Sequence, residues 1–430
     1  MPSRDDSIYY GWYIVAAAFV ANFVCVGITF YLMNAFMEPL TEINGWTRTE
    51  VNLALVYGIF VHATSQLLWG TVVMRTGPRL LMLLGPLFAG VFFVCLGSTD
   101  NLFLFYFYFI LVNLGSGAFG GVVAGTAVNN WFIQKKGNAM GAASAGISMS
   151  GAMLPLTAMI LIINLDLARA FLWIGLGTMA LGPVFWMVVR NWPEEYGLAP
   201  DGVVPEYAMG DHAVKNAPVA RPPGVLGRFA PMPAGSMWSL GQIVKNGTFW
   251  KVGISFSFIL IAVSSVMSQL KPRFSDLGFE DMSAMLMMSA TALIGAAGKY
   301  VWGMLCDRYD SRHVTATLMS LLVLGLMLAL LPVHPVSMGL FILIFGFSMG
   351  GVMSTFPIIV ADLFGRESFP AVFRVISLFF IVELAGFVIA GQSYDRTGSY
   401  NLASLIYIVL GAAAVCLMLT VKRPVRPGNA

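Results

Sequence analysis

Two residues carry charge deep inside long apolar runs. Lys299 lies ~12 Å, at 1.5 Å per residue, from the charged turn that begins at Asp307, and Glu383 lies ~14 Å beyond Arg374. An ammonium there can hold a carboxylate, and a glutamate there can take up a proton or answer the ammonium. A charge in the middle of hydrocarbon costs about 3 kcal/mol or more, so such residues ordinarily mark a pathway. The competing reading is a fixed ion pair that locks two helices. It is the weaker one, because a buried pair stabilises less than apolar packing of the same volume.

Other candidates are neutral. His62 and Gln66 stand one helical turn apart and share a face. His62 reads equally as a packed, hydrogen-bonded core residue or as a ligand and proton carrier. Asn34 and the Ser264-Ser265 pair are further candidates for contact with a polar cargo, and Phe380, one turn before Glu383, joins them. Asn113, Asn129 and Asn130 fit interhelical hydrogen bonds better. Catalysis finds no support. There is no GxxxxGK[ST], GxSxG or HExxH, and Cys25, Cys95, Cys306 and Cys416 have neither disulfide nor metal spacing. No cofactor or metal is expected.

The elements that must position these residues follow from composition. Of 430 residues, 58% are hydrophobic and 10% charged, against roughly 25% charged in soluble domains. A soluble enzyme is excluded by that deficit, and a net charge of +3 gives no basic surface for nucleic acid. Apolar runs of about 20 residues, the length that crosses a bilayer, are expected at 11–34, 51–73, 80–98, 102–130, 138–163, 169–189, 249–270, 282–305, 313–331, 335–361, 370–391 and 399–421. They do not alternate as barrel strands would. The expected fold is an all-α membrane protein of twelve transmembrane helices in two six-helix bundles.

Most of the 24 Lys and Arg residues fall on one side of these spans, leaving Arg48, Arg169, Lys271, Arg273 and Arg396 on the other. That bias places both termini in the cytoplasm, in a multi-pass protein of the cell inner membrane. The start of the chain reads as an uncleaved first span rather than a signal peptide. Residues 191–248, rich in Pro and Gly, form an expected cytoplasmic linker between halves 1–190 and 249–430, with a short surface helix near 236–245. Its expected role is only to connect them.

The halves echo each other. Gly70, Arg75 and Arg79 after the second span recur at constant spacing as Gly303, Arg308 and Arg312 after the eighth, and Trp131-Phe132 is echoed by Leu363-Phe364. A small residue lets helices approach, and the turn places arginine to pair with carboxylates or carbonyls across them. Asp307 belongs to the second copy, and Met74 replaces it in the first. Together Arg75, Arg79, Asp307, Arg308 and Arg312 are expected to bridge the halves as gating residues.

These paired segments resemble the G-x-x-x-D-R-x-G-x-R loop of the major facilitator superfamily of transporters. The Tyr10-Gly11-Trp12-Tyr13 opening, the Trp131-Phe132-x-x-Lys135-Lys136-Gly137-x-Ala139-x-Gly141 element and the Pro193–Gly202 segment are similar to the monocarboxylate and oxalate:formate antiporter branch. The resemblance implies a carrier of a small organic anion that works without cofactor, as a monomer in the lipid bilayer. It also implies that Lys299 binds substrate, with Glu383 where the antiporter has a second cation. One cation with one acid suits a monocarboxylate moved with protons better than a dianion. Aromatic pocket positions of that antiporter fall here on Gly121, Ile147, Met349 and Met353, which implies a roomier pocket. The runner-up is anion exchange; cation or drug efflux and a non-transporting sensor stand behind it.

Overall fold

A computed structural model describes residues 9–202, 238–331 and 334–424; a few helical side chains, Asn34 among them, lie outside the described set. No strand occurs among the described residues. The first apolar run forms α1 (Gly11–Val26), a π-helical segment (Gly27–Tyr31) and α2 (Leu32–Asn44). Single helices follow: α3 (Arg48–Thr76), opened by a Thr47–Glu50 capping box, and α4 (Pro78–Leu96), opened by proline. The fourth run is split into α5 (Leu102–Gly117) and α6 (Gly121–Trp131). Then come α7 (Lys136–Asn164) and α8 (Leu167–Val188).

The second half begins with the short α9 (Leu240–Lys245), capped by Ser239. The expected surface helix lies there, while residues 203–237 of the linker lie outside the described residues. After it stand α10 (Gly247–Asp276), α11 (Asp281–Arg308), α12 (Ser311–Leu328) and α13 (Pro335–Phe364). The eleventh run is again interrupted: α14 (Phe369–Ile376), a 3-10 segment (Ser377–Glu383) and α15 (Leu384–Thr397). The last helix is α16 (Asn401–Leu419).

Among the described residues, eleven helices are long and apolar enough to cross a membrane. The eighth of the twelve expected runs, α11, is not among these eleven, although its 28 residues are longer than the ~30 Å of a hydrocarbon core requires. Phe103, Ile163 and Val409 turn large apolar side chains outward, as lipid-facing positions do. Within the first half α4 packs on α5 and α8, α3 on α5, and α1 on α7; within the second, α11 packs on α13, α12 on α13 and α16, and α10 on α16. The two groups meet chiefly where α7 crosses α11 and where α3 crosses α14.

Candidate functional site

Lys299 sits on α11 at its crossing with α7. It is 5% exposed, and its Nζ donates to the backbone carbonyl of Ser144 on α7 at 3.3 Å. Glycine makes that contact possible. A Cβ on Gly141 would stand 2.7 Å from the Lys299 carbonyl, and Cβ atoms on Gly137 or Gly303 would collide with each other's backbone. Ile147, half-buried, lies one turn along α7 from Ser144. Gly295, one turn before Lys299, receives the Met349 side chain, with the methyl 2.8 Å from where a Cβ would be. Met353 is half-buried one turn further along α13.

Glu383 ends the 3-10 segment where α15 begins, and Ser264 Oγ on α10 donates to its Oε2 at 2.8 Å. The structure therefore does not pair Glu383 with Lys299: the acid is held within the second half, and the ammonium reaches into the first. Similar depth along two helices did not reveal which way each side chain turned. Phe380 lies in the same 3-10 segment, its ring 5.3 Å from that of Phe356.

His62 and Gln66 meet at the break between α5 and α6. His62 Nδ1 is 3.1 Å from Ser116 Oγ, and its Nε2 is 3.4 Å from Gln66 Nε2. Gln66 Oε1 accepts the Val122 backbone N–H at 3.0 Å and so caps α6. Gly121 has φ +48°, and a Cβ there would lie 2.6 Å from Gln66 Oε1. This position needs glycine for both its backbone and the capping glutamine. The structure brings His62, Gln66 and Gly121 together; the side chain of Asn34 is outside the described set.

The end of the bundle that carries the termini is closed by contacts between the halves. Asp307 accepts the backbone N–H groups of Gly137 at 2.5 Å and Asn138 at 2.8 Å, placing a carboxylate on the positive end of α7. Arg374 donates to Thr71 Oγ1, and Gly70 leaves room for the Arg374 stem. Arg366 pairs with Glu194 at 2.9 Å and donates to the Asn130 carbonyl, while Asn129 donates to the Arg366 carbonyl at 2.9 Å. Glu194 makes the start of the linker more than a connector.

The arginines of the repeat do not bridge the halves. Arg79 donates to the Trp186 carbonyl at 3.0 Å and lies over the Trp186 ring. Arg312 pairs with Asp310 and donates to the Val421 carbonyl at 3.0 Å. Arg79 is thus tied to the last helix of its own half and Arg312 to the chain just after the last helix of its own, and Arg75 and Arg308 are exposed. The Arg312 hydrogen bonds hold the Asp310 carboxyl down at about 2. Arg366, Arg374 and Glu194 escaped the sequence reading because the repeat does not mark them. Asp307→Asn loses the charge and one good acceptor, a change of about 1.5 kcal/mol or more for a charged hydrogen bond. It is expected to raise maleimide labelling of cysteines placed at this end about tenfold; unchanged labelling would leave Asp307 with a topological role only.

A bundle of bilayer-length apolar helices, with its two groups in contact and charge at the crossing, defines a multi-pass membrane carrier. The Major Facilitator Superfamily model matches residues 18–378, and the chain belongs to that superfamily. It is a transporter, not an enzyme. The chain is 22% identical to the oxalate:formate antiporter of Oxalobacter formigenes, over 82% of this chain and 78% of that protein. It is 19% identical to monocarboxylate transporter 13 of Rattus norvegicus, over 96% and 92% respectively. The proton:xylose symporter XylE shares the fold at TM-score 0.70 and 15% identity, with 96% of both chains covered.

Proposed function

We propose that the protein carries a small organic monocarboxylate across the cell inner membrane, in symport with protons, by alternating access. The observation that supports this most is Lys299: a buried ammonium whose partner is a neutral carbonyl, and which an anion would satisfy better. The names of the two relatives, an oxalate:formate antiporter and a monocarboxylate transporter, agree with a carboxylate cargo. The carrier acts as a monomer, with cytoplasmic termini and residues 191–248 linking halves 1–190 and 249–430.

An incoming carboxylate competes with the Ser144 carbonyl for the Lys299 ammonium. Winning that competition removes a bond between the halves, so binding loosens the α7–α11 crossing. Gln66, Gly121, Ile147, Met349, Met353 and Phe380 shape the rest of the pocket, with Asn34 at its outer end. Glu383, held by Ser264, is the proton site, and His62 is the reserve candidate. Loaded with a proton and an anion, the carrier crosses with Lys⁺ balanced by the carboxylate and Glu383 neutral.

Uptake of labelled propionate and lactate into proteoliposomes tests the reading. Glu383→Gln, which mimics the protonated acid, is expected to retain exchange within about threefold but to lose accumulation driven by an inward proton gradient. Accumulation that survives the substitution would move the proton role to His62. Uptake seen only when the vesicles are preloaded with anion would establish exchange instead.

A further inference from the structure

The end of the bundle away from the termini holds a cavity of about 360 Å³, lined by Arg273, Leu277, Leu331, Met338, Tyr400 and Asn401 among others. Arg273 stands in the last turn of α10. Its guanidinium donates to Ser404 Oγ at 3.1 Å and to the Ala329 carbonyl at 2.6 Å. Both acceptors are neutral, and no carboxylate among the described residues is within ion-pair distance of it. At the other end, Arg312 and Arg366 each have an acid, Asp310 and Glu194. A guanidinium stays charged at any physiological pH, so this part of the cavity lining carries a positive charge that no described carboxylate neutralises.

Leu277, Leu331 and Met338 line the same cavity as the cation. A cation and several apolar side chains in one lining, around a volume that exceeds several waters at about 30 Å³ each, match an anion with a short aliphatic chain. Its two oxygens can meet the fork of the guanidinium, and its methylene groups the leucines.

We propose that this cavity is a second carboxylate-binding site, separate from Lys299, where the anion docks at the face opposite the termini. The ligand class rests on the transport reading above; the site itself rests on Arg273 and the cavity. Equilibrium binding of radiolabelled propionate to the purified full-length protein tests it. Lys299→Ala protein is expected to keep one class of site. Adding Arg273→Gln should weaken that class tenfold or more. Leu331→Trp, which fills the cavity from a half-exposed position and leaves the Arg273 bonds in place, should do the same.

Residual binding that survives both substitutions overturns the proposal. So does a Lys299→Ala protein that binds no propionate, an outcome that leaves the transport reading intact. If Lys299→Ala keeps every class of site seen in the unmodified chain, the transport reading fails instead. Loss of one of those classes on Arg273→Gln and on Leu331→Trp would then still support the peripheral site.

Discussion

Replacing Lys299 with alanine is expected to lower carboxylate uptake in proteoliposomes at least thirtyfold, while the protein still inserts and elutes as a folded species. Truncating one partner of a buried charged contact costs about 2 kcal/mol or more, which alone is roughly thirtyfold in affinity. The loss of uptake is separable from any loss of stability. The side chain brings a charge into a buried position in exchange for one hydrogen bond to a neutral carbonyl, so Lys299→Met, which removes the charge at similar volume, should lose uptake while the thermal midpoint holds or rises. Lys299→Arg keeps the charge with a different donor geometry and should retain part of the binding. Uptake by the alanine variant within twofold of the unmodified protein would remove Lys299 from the substrate site.

Gly303→Ala should have the second-largest effect, and for a steric reason. The new Cβ would collide with the Gly137 carbonyl and come close to Gly141. The obstruction is backbone, so no rotamer change relieves it, and α7 and α11 must separate. The expected result is a carrier held open at the end that bears the termini. Labelling of cysteines at that end should rise about tenfold or more, with net uptake falling in parallel, as a shift of 1.4 kcal/mol or more between two states implies. Gly177→Ala is the control, since a Cβ there has nothing within 4 Å. Equal labelling in the two variants would show that the glycine crossing does not hold the closed state.

The sequence made the membrane helices legible because each is a long apolar run ended by charge, proline or glycine. It did not reveal where they break. The interruption at 118–120 lies in a Gly-rich apolar stretch of unaltered hydropathy, and the 3-10 segment before Glu383 reads as an ordinary span. Those breaks depend on tertiary partners, such as Gln66 capping Val122. The internal repeat showed which residues correspond but not which way they face. Its glycines, Gly70 and Gly303, lie at the crossings between halves, whereas its second arginines, Arg79 and Arg312, turn inward to their own halves. Lys299 was visible as an isolated charge. Its partner was not, because every residue has a carbonyl and no letter of the sequence distinguishes the one at Ser144.

The partner of Lys299 is part of the main chain, so Ser144→Ala leaves the acceptor where it was, 3.3 Å from the ammonium in this arrangement. A mutational scan would register one side of the contact as sensitive and the other as tolerant of small side chains. Drift at position 144 cannot erase the acceptor; only a change in the path of α7 can. Divergence among such carriers would then concentrate on the charge they present, while the backbone it meets is inherited with the fold.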